Sequence, residues 1–195
     1  MMIKLARAAL GACALAALVA LLSGCVPLVI AGVAAGAAVA TDRRTTGAQV
    51  DDEVIEDKTS FNVHERFKGA FHVNVTSYNG IVLLTGEVPA EAARADIAEL
   101  VRTTPKVRAI QNELTIGPVT DLGSRSNDTL ITSKVKARFV EANRFQINHV
   151  KVVTERGVVY LMGVVRRSES DAAADIASTT SGVQRVVKVF EYFVG

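Results

Sequence analysis

The chain has 195 residues, a net charge of +2, 49% hydrophobic residues, no Trp and aromatics at only 5%. A charge balance this close to neutral gives no global case for nucleic acid, and two cysteines are too few for a thiolate metal cluster. The apolar excess lies at the N-terminus, and the remainder, about 41–195, is long enough for one or two small domains.

Residues 1–24 read as an export signal. Lys4 and Arg7 make a basic n-region, and "AALGACALAALVALL" (8–22) is an uncharged apolar run. It ends in "LSGC", Leu22 to Cys25, which resembles the bacterial lipobox: an aliphatic residue, two small residues, then the cysteine to be lipidated. An ordinary cleaved signal and an uncleaved anchor are the alternatives. The stretch "VPLVIAGVAAGAAVA" (26–40) keeps the anchor open, since the uncharged region is longer than one span. Its Gly and Ala content makes a weak span, so 25–48 is read as the lipidated cysteine and a membrane-proximal tether. Cys13 would leave with the leader, making Cys25 the sole cysteine of the mature chain. Val26 stands where an inner-membrane retention signal commonly places Asp, which by convention favours a lipid anchor in the outer membrane facing the periplasm.

Beyond the tether the same module occurs twice. "TSYNGIVLLTGEV" (76–88) aligns with "VTERGVVYLMGVV" (153–165), placing Gly80 on Gly157 and Gly86 on Gly163. "ADIA" recurs at 95–98 and 174–177, and "DEVIEDK" (52–58) lies on "DTLITSK" (128–134). An internal repeat settles the organisation: one domain over 49–118, a linker at 119–125 and a second domain over 126–195. In chain order each copy predicts a helix (51–66 or 127–143) with Asp or Asn near its start as a cap. Two alternating strands follow, joined by Asn79-Gly80 or Arg156-Gly157. A second helix comes next, opened by Pro89 in the first copy and spanning 168–181 before Gly182 in the second. The closing strands are "VRAIQNELTI" (107–116) and "VQRVVKVFEYFV" (183–194). The order α-β-β-α-β, two helices on a three-stranded mixed sheet, is an α+β fold.

The helix, the strand pair with G-x-V-x-L-x-G-x-V, the "ADIA" helix and the closing strand together resemble the BON domain. Two such domains behind a lipobox resemble the dual-BON outer-membrane lipoproteins, through "ATDRRTTGAQVDD" (40–52), "SNDTLITSKV" (126–135) and "AAADIASTTSGVQRV" (172–186). The resemblance implies a non-enzymatic protein that maintains outer-membrane integrity, binds anionic phospholipid such as phosphatidylglycerol, and gathers at the division site. It also implies lipid contact through the first helix of the second domain, at Leu130, Val135 and Val140 with the preceding loop around Gly123.

That helix carries its own signal. Ile131, Val135, Phe139 and Ala142 have the spacing of a core stripe, and Leu130, Ala137 and Val140 form a second apolar row. Lys134, Lys136 and Arg144 flank that row, and Ser133 lies among its residues. Residues 127–144 carry a net +2, whereas 50–66 carry a net −4, and only the basic helix suits an anionic bilayer. The segment Gly123–Asp128 would lead into the helix with free N–H groups for a phosphate, although Asp128 opposes it. The competing expectation is that Leu130, Ala137 and Val140 pack against the other domain, since Val54 and Phe61 occupy the twin positions.

Other chemistry is thin. His72 and His149 are repeat-equivalent and, with His64, are expected to be structural or at the surface, with no metal site. "NDT" (127–129) reads as a cap rather than a catalytic set, and no nucleophile–base pair, phosphate loop or cofactor site is expected. Beside the membrane stands a second function class: a periplasmic adaptor whose BON domains bind a protein of envelope assembly, division or peptidoglycan remodelling.

Overall fold

The computed structural model describes residues 42–68 and 71–193. The leader, Cys25 and most of the tether lie outside the described residues. The first domain comprises α1 (Thr46–Arg66), β1 (His72–Tyr78), β2 (Ile81–Val88), α2 (Glu91–Arg102), β3 (Ala109–Asn112) and β4 (Thr115–Ile116). The second comprises α3 (Leu122–Ala142), a 3-10 turn (Ile147–His149), β5 (Lys151–Glu155), β6 (Val158–Val165), α4 (Arg167–Ser178) and β7 (Arg185–Tyr192). Each is α-β-β-α-β.

In each sheet the hairpin is antiparallel and the closing strand runs parallel to its second strand. The hairpins close through paired left-handed residues, Asn79 (φ 52°) with Gly80 (φ 74°) and Arg156 (φ 51°) with Gly157 (φ 74°). Both central residues at positive φ match the twist of the flanking strands. In the first domain the closing strand is split between β3 and β4, where Leu114 turns into the core and its N–H donates to Asn112 Oδ1 (3.2 Å). Gly86 and Gly163 are required by close backbone approach: a Cβ would lie 2.0 Å from the His72 carbonyl oxygen and 2.2 Å from that of His149.

Helices and sheet enclose one core per domain. Ile55 and Val63 of α1 meet Val82, Leu84 and Val88 of β2 and Ile97 of α2. Ile131, Val135 and Phe139 of α3 meet Val159 and Leu161 of β6 and Ala173 and Ile176 of α4. The opposite sheet faces join the two domains. Tyr78 and Leu83 pack with Tyr160, Met162 and Val189 in a third buried cluster. Full burial contributes roughly 1.5–3 kcal/mol for each large apolar side chain. Polar links rim this seam: Lys151 to Glu56 (2.7 Å), Asn79 to Glu191 (2.8 Å), Arg108 to Glu191 (3.0 Å) and Asn74 to Glu155 (2.9 Å).

Several expectations change. Both first helices begin earlier, capped by Thr45, which accepts from the Ala48 N–H (3.1 Å), and by Asp121, which accepts from the Ser124 N–H (2.9 Å). The segment read as the end of the linker, 122–125, is therefore the first turn of α3. Pro89 precedes the Ala90 cap of α2 rather than occupying its first turn. α4 ends at Ser178, before the expected 181. Residues 42–44 are tied down: Arg44 bonds Asp42 and Asp52 and stacks 3.9 Å from the Tyr78 ring centroid, and Arg43 pairs with Glu169 (2.6 Å).

Candidate membrane-facing site

The surface of α3 follows from its position on the sheet. Ile131, Val135 and Phe139 point into the core, so positions one and five residues away turn to solvent. Leu130 is 59% exposed and Val140 is 63% exposed, with Ala137, Ser133 and Lys134 exposed between them. Leu122, at 74%, extends the row by two turns toward the N-terminus. The sequence reading missed Leu122 because it placed it in the linker.

One expected contact does not join this surface. Val135 is 0% exposed, so it belongs to the core and is removed from the lipid-contact set. Ala142, expected in the core stripe, is exposed at the last turn because the helix ends there at left-handed Asn143 (φ 46°). Gly123 is exposed, but it lies within the first turn of α3 rather than in a loop before it. Gly123–Asp128 is thus helical: the Ser124 N–H is taken by the Asp121 carboxylate and the Arg125 N–H by the Asp121 carbonyl, so most of the N–H groups of the expected phosphate cradle are already used. The expectation that Leu130, Ala137 and Val140 pack on the other domain is also overturned, because the seam is made by the sheets instead.

Lys134, Lys136 and Arg144 form no ion pair among the described residues. Arg138 is held differently, donating to the Ile176 carbonyl (2.8 Å) and to Thr180 (2.8 Å). On the twin helix α1, Val50, Val54 and Phe61 are also exposed, but they sit among acidic residues.

Asp128 faces inward. Its carboxylate accepts from the Arg156 N–H (2.8 Å) and the Gly157 N–H (2.8 Å), so it caps the β5–β6 turn rather than the helix. Asp52 does the same in the first domain, accepting from Asn79 N–H (2.7 Å), Gly80 N–H (2.8 Å) and Ser77 Oγ (2.6 Å). Beside α3 a groove of about 470 Å³ runs to the domain seam, lined by Arg125, Thr129, Ser133 and Lys136 on one side and by His72, Asn74 and Glu155 on the other. His72 lies 3.4 Å from Glu87 and His149 lies 3.7 Å from Glu169. His64 pairs with the Ser60 carbonyl (2.8 Å) in its own helix.

Comparison with known proteins matches residues 51–118 and 127–192 to the BON domain. The chain belongs to the BON-domain family. Outer membrane lipoprotein DolP of Haemophilus influenzae is 43% identical over 173 residues, covering 88% of this chain and 90% of that protein. The 21 kDa hemolysin of Actinobacillus pleuropneumoniae is 36% identical, covering 77% and 79%. Osmotically-inducible protein Y of Escherichia coli is 27% identical, covering 78% of each. This is therefore a DolP-like chain of two BON domains, and its candidate surface lies on the first helix of the second BON domain. No helix among the described residues is long and apolar enough to cross a membrane.

Proposed function

We propose that this protein is a lipid-anchored envelope protein, attached through Cys25 to the outer membrane and facing the periplasm. It maintains outer-membrane integrity by docking α3 on anionic phospholipid, with phosphatidylglycerol as the expected headgroup. The carrying observation is the exposed row Leu122, Leu130, Ala137 and Val140 beside Lys134 and Lys136, which form no ion pair among the described residues. Each apolar side chain that reaches the headgroup–acyl boundary contributes up to roughly 1.5–3 kcal/mol, and each nearby cation about 1 kcal/mol. The contact set is Gly123, Leu130, Ser133, Lys134, Ala137 and Val140. A place at the division site comes from the family resemblance alone.

The α1 surface supports a second reading. Val50, Val54 and Phe61 are exposed on an acidic helix that an anionic bilayer would repel, which suits a protein partner of envelope assembly or division. Flotation of residues 41–195, without the acyl chains, on phosphatidylglycerol-rich and neutral vesicles tests the first reading. Binding to anionic vesicles alone is expected. Failure of the folded fragment to float with either would leave the adaptor reading in its place.

A further inference from the structure

A second cluster lies across the domain seam, outside the proposed lipid-contact set. His72 of β1, Glu87 of β2 and Glu155 of β5 bring one ring nitrogen and two carboxylate oxygens within 4.8 Å of one another. Glu87 is 0% exposed and Glu155 is 6% exposed. Among the described residues neither carboxylate forms a salt bridge with a Lys or Arg. Two buried carboxylates facing each other are costly unless a cation compensates them.

The repeat provides an internal control. The Gly86–Gly163 register places Glu87 on Val164, and the turn register places Glu155 on Tyr78. In each case the other copy fills the position with an uncharged side chain, so the BON fold itself does not call for these carboxylates.

From this geometry we propose that His72, Glu87 and Glu155 bind a divalent cation of the zinc class, which clamps the two BON domains together. One imidazole and two carboxylates without thiolate suit zinc and its first-row neighbours, and the nitrogen ligand disfavours calcium and magnesium. Zinc bonds of about 2.0–2.2 Å put tetrahedral ligand atoms roughly 3.3–3.5 Å apart. His72 Nδ1 and Glu87 Oε2 are already 3.4 Å apart, so closure falls mainly to Glu155. His72 Nδ1 is buried and has no hydrogen-bond partner among the described residues. Both carboxylates are held by hydrogen bonds: Thr120 donates its N–H (3.1 Å) and its hydroxyl to Glu87, and the Asn74 amide donates to Glu155. The groove lined by His72 and Glu155 supplies a path for the ion and room for water at the open position. Ligands come from both domains, and Thr120 comes from the segment between them.

The test uses the mature, lipidated full chain in detergent micelles, stripped with chelator and dialysed against Zn²⁺. One equivalent bound is expected, with a metal-dependent rise in melting temperature. Co²⁺ in place of Zn²⁺ should give visible d–d absorption. Glu155→Gln and His72→Gln should each weaken Zn²⁺ binding at least tenfold, and His149→Gln, the repeat-equivalent control, should leave it unchanged. Circular dichroism and metal-free melting separate loss of the ligand from loss of the fold. Less than a tenth of an equivalent bound by the folded wild-type chain overturns the proposal. So does binding that survives both ligand substitutions, since the metal would then sit elsewhere.

Discussion

Asp128, in the second turn of α3, holds the Arg156 and Gly157 amides at 2.8 Å each, so the candidate membrane helix is fastened to the tip of a hairpin by one buried carboxylate. Charge-assisted bonds of this kind contribute about 1.5–3 kcal/mol, and leaving buried N–H groups unpaired costs a further 1–3 kcal/mol or so. Asp128→Ala should destabilise the protein by ~3 kcal/mol or more in urea unfolding. A loss below about 1 kcal/mol would mean that water replaces the carboxylate.

Membrane docking predicts a separation between binding and stability. Leu130→Glu and Val140→Glu alter exposed positions, so both should melt within a few degrees of wild type while losing flotation with phosphatidylglycerol-rich vesicles. Val135→Glu should instead fail to fold, because the carboxylate would enter the core unpaired. Undiminished flotation of the first two variants would remove α3 from the contact.

Phe61→Ser provides the opposite control. It removes the most exposed aromatic of α1, which lies on an acidic helix, and vesicle flotation should be unchanged. Weakened flotation would extend the docking surface to the first domain.

Gly163→Ala sets a new Cβ against the His149 carbonyl oxygen at 2.2 Å, a separation that backbone movement alone can relieve. The expected cost is roughly 3 kcal/mol, measured by chemical unfolding. A cost under 1 kcal/mol would show that β5 and β6 tolerate splaying at that point.

Acid sensitivity has a named source. The Arg43 guanidinium, working against burial and joined by the Arg166 N–H, holds the Glu169 carboxyl at about 2 instead of its ordinary 4.5. A depressed folded-state value gives stabilisation that is complete above the unfolded value and lost as pH falls from about 4.5 toward 2. Arg43→Gln should therefore lower the melting temperature most above pH 4.5, with the gap to wild type closing near pH 2. A gap independent of pH would attribute the effect of Arg43 to packing on Phe193, which its guanidinium approaches to 4.3 Å.

The repeat, the strand pairs and the second apolar row were legible because they are local patterns. Helix starts were misread because Asp51, Asp52 and Asp128 resemble caps. Thr45 and Asp121, equally good cap residues, lay earlier in stretches that read as tether and linker. The role of Asp52 and Asp128 depends on a turn more than 25 residues away, which no local rule reaches. The seam did leave a trace: "IVLL" (81–84) and "VVYLM" (158–162) are apolar on both strand faces, as strands covered on both sides must be. Nothing local announced that Glu87 and Glu155 would meet.

The shared seam also has a consequence for the order in which the chain folds. A polypeptide delivered N-terminus first completes its first domain with Leu83 uncovered and Tyr78 screened by Arg44, and the apolar surface that hides them arrives only with Tyr160, Met162 and Val189. Until then the half-finished molecule presents an adhesive sheet face. The late strand β7, which brings Val189 and ends at Tyr192, completes the cover over that face.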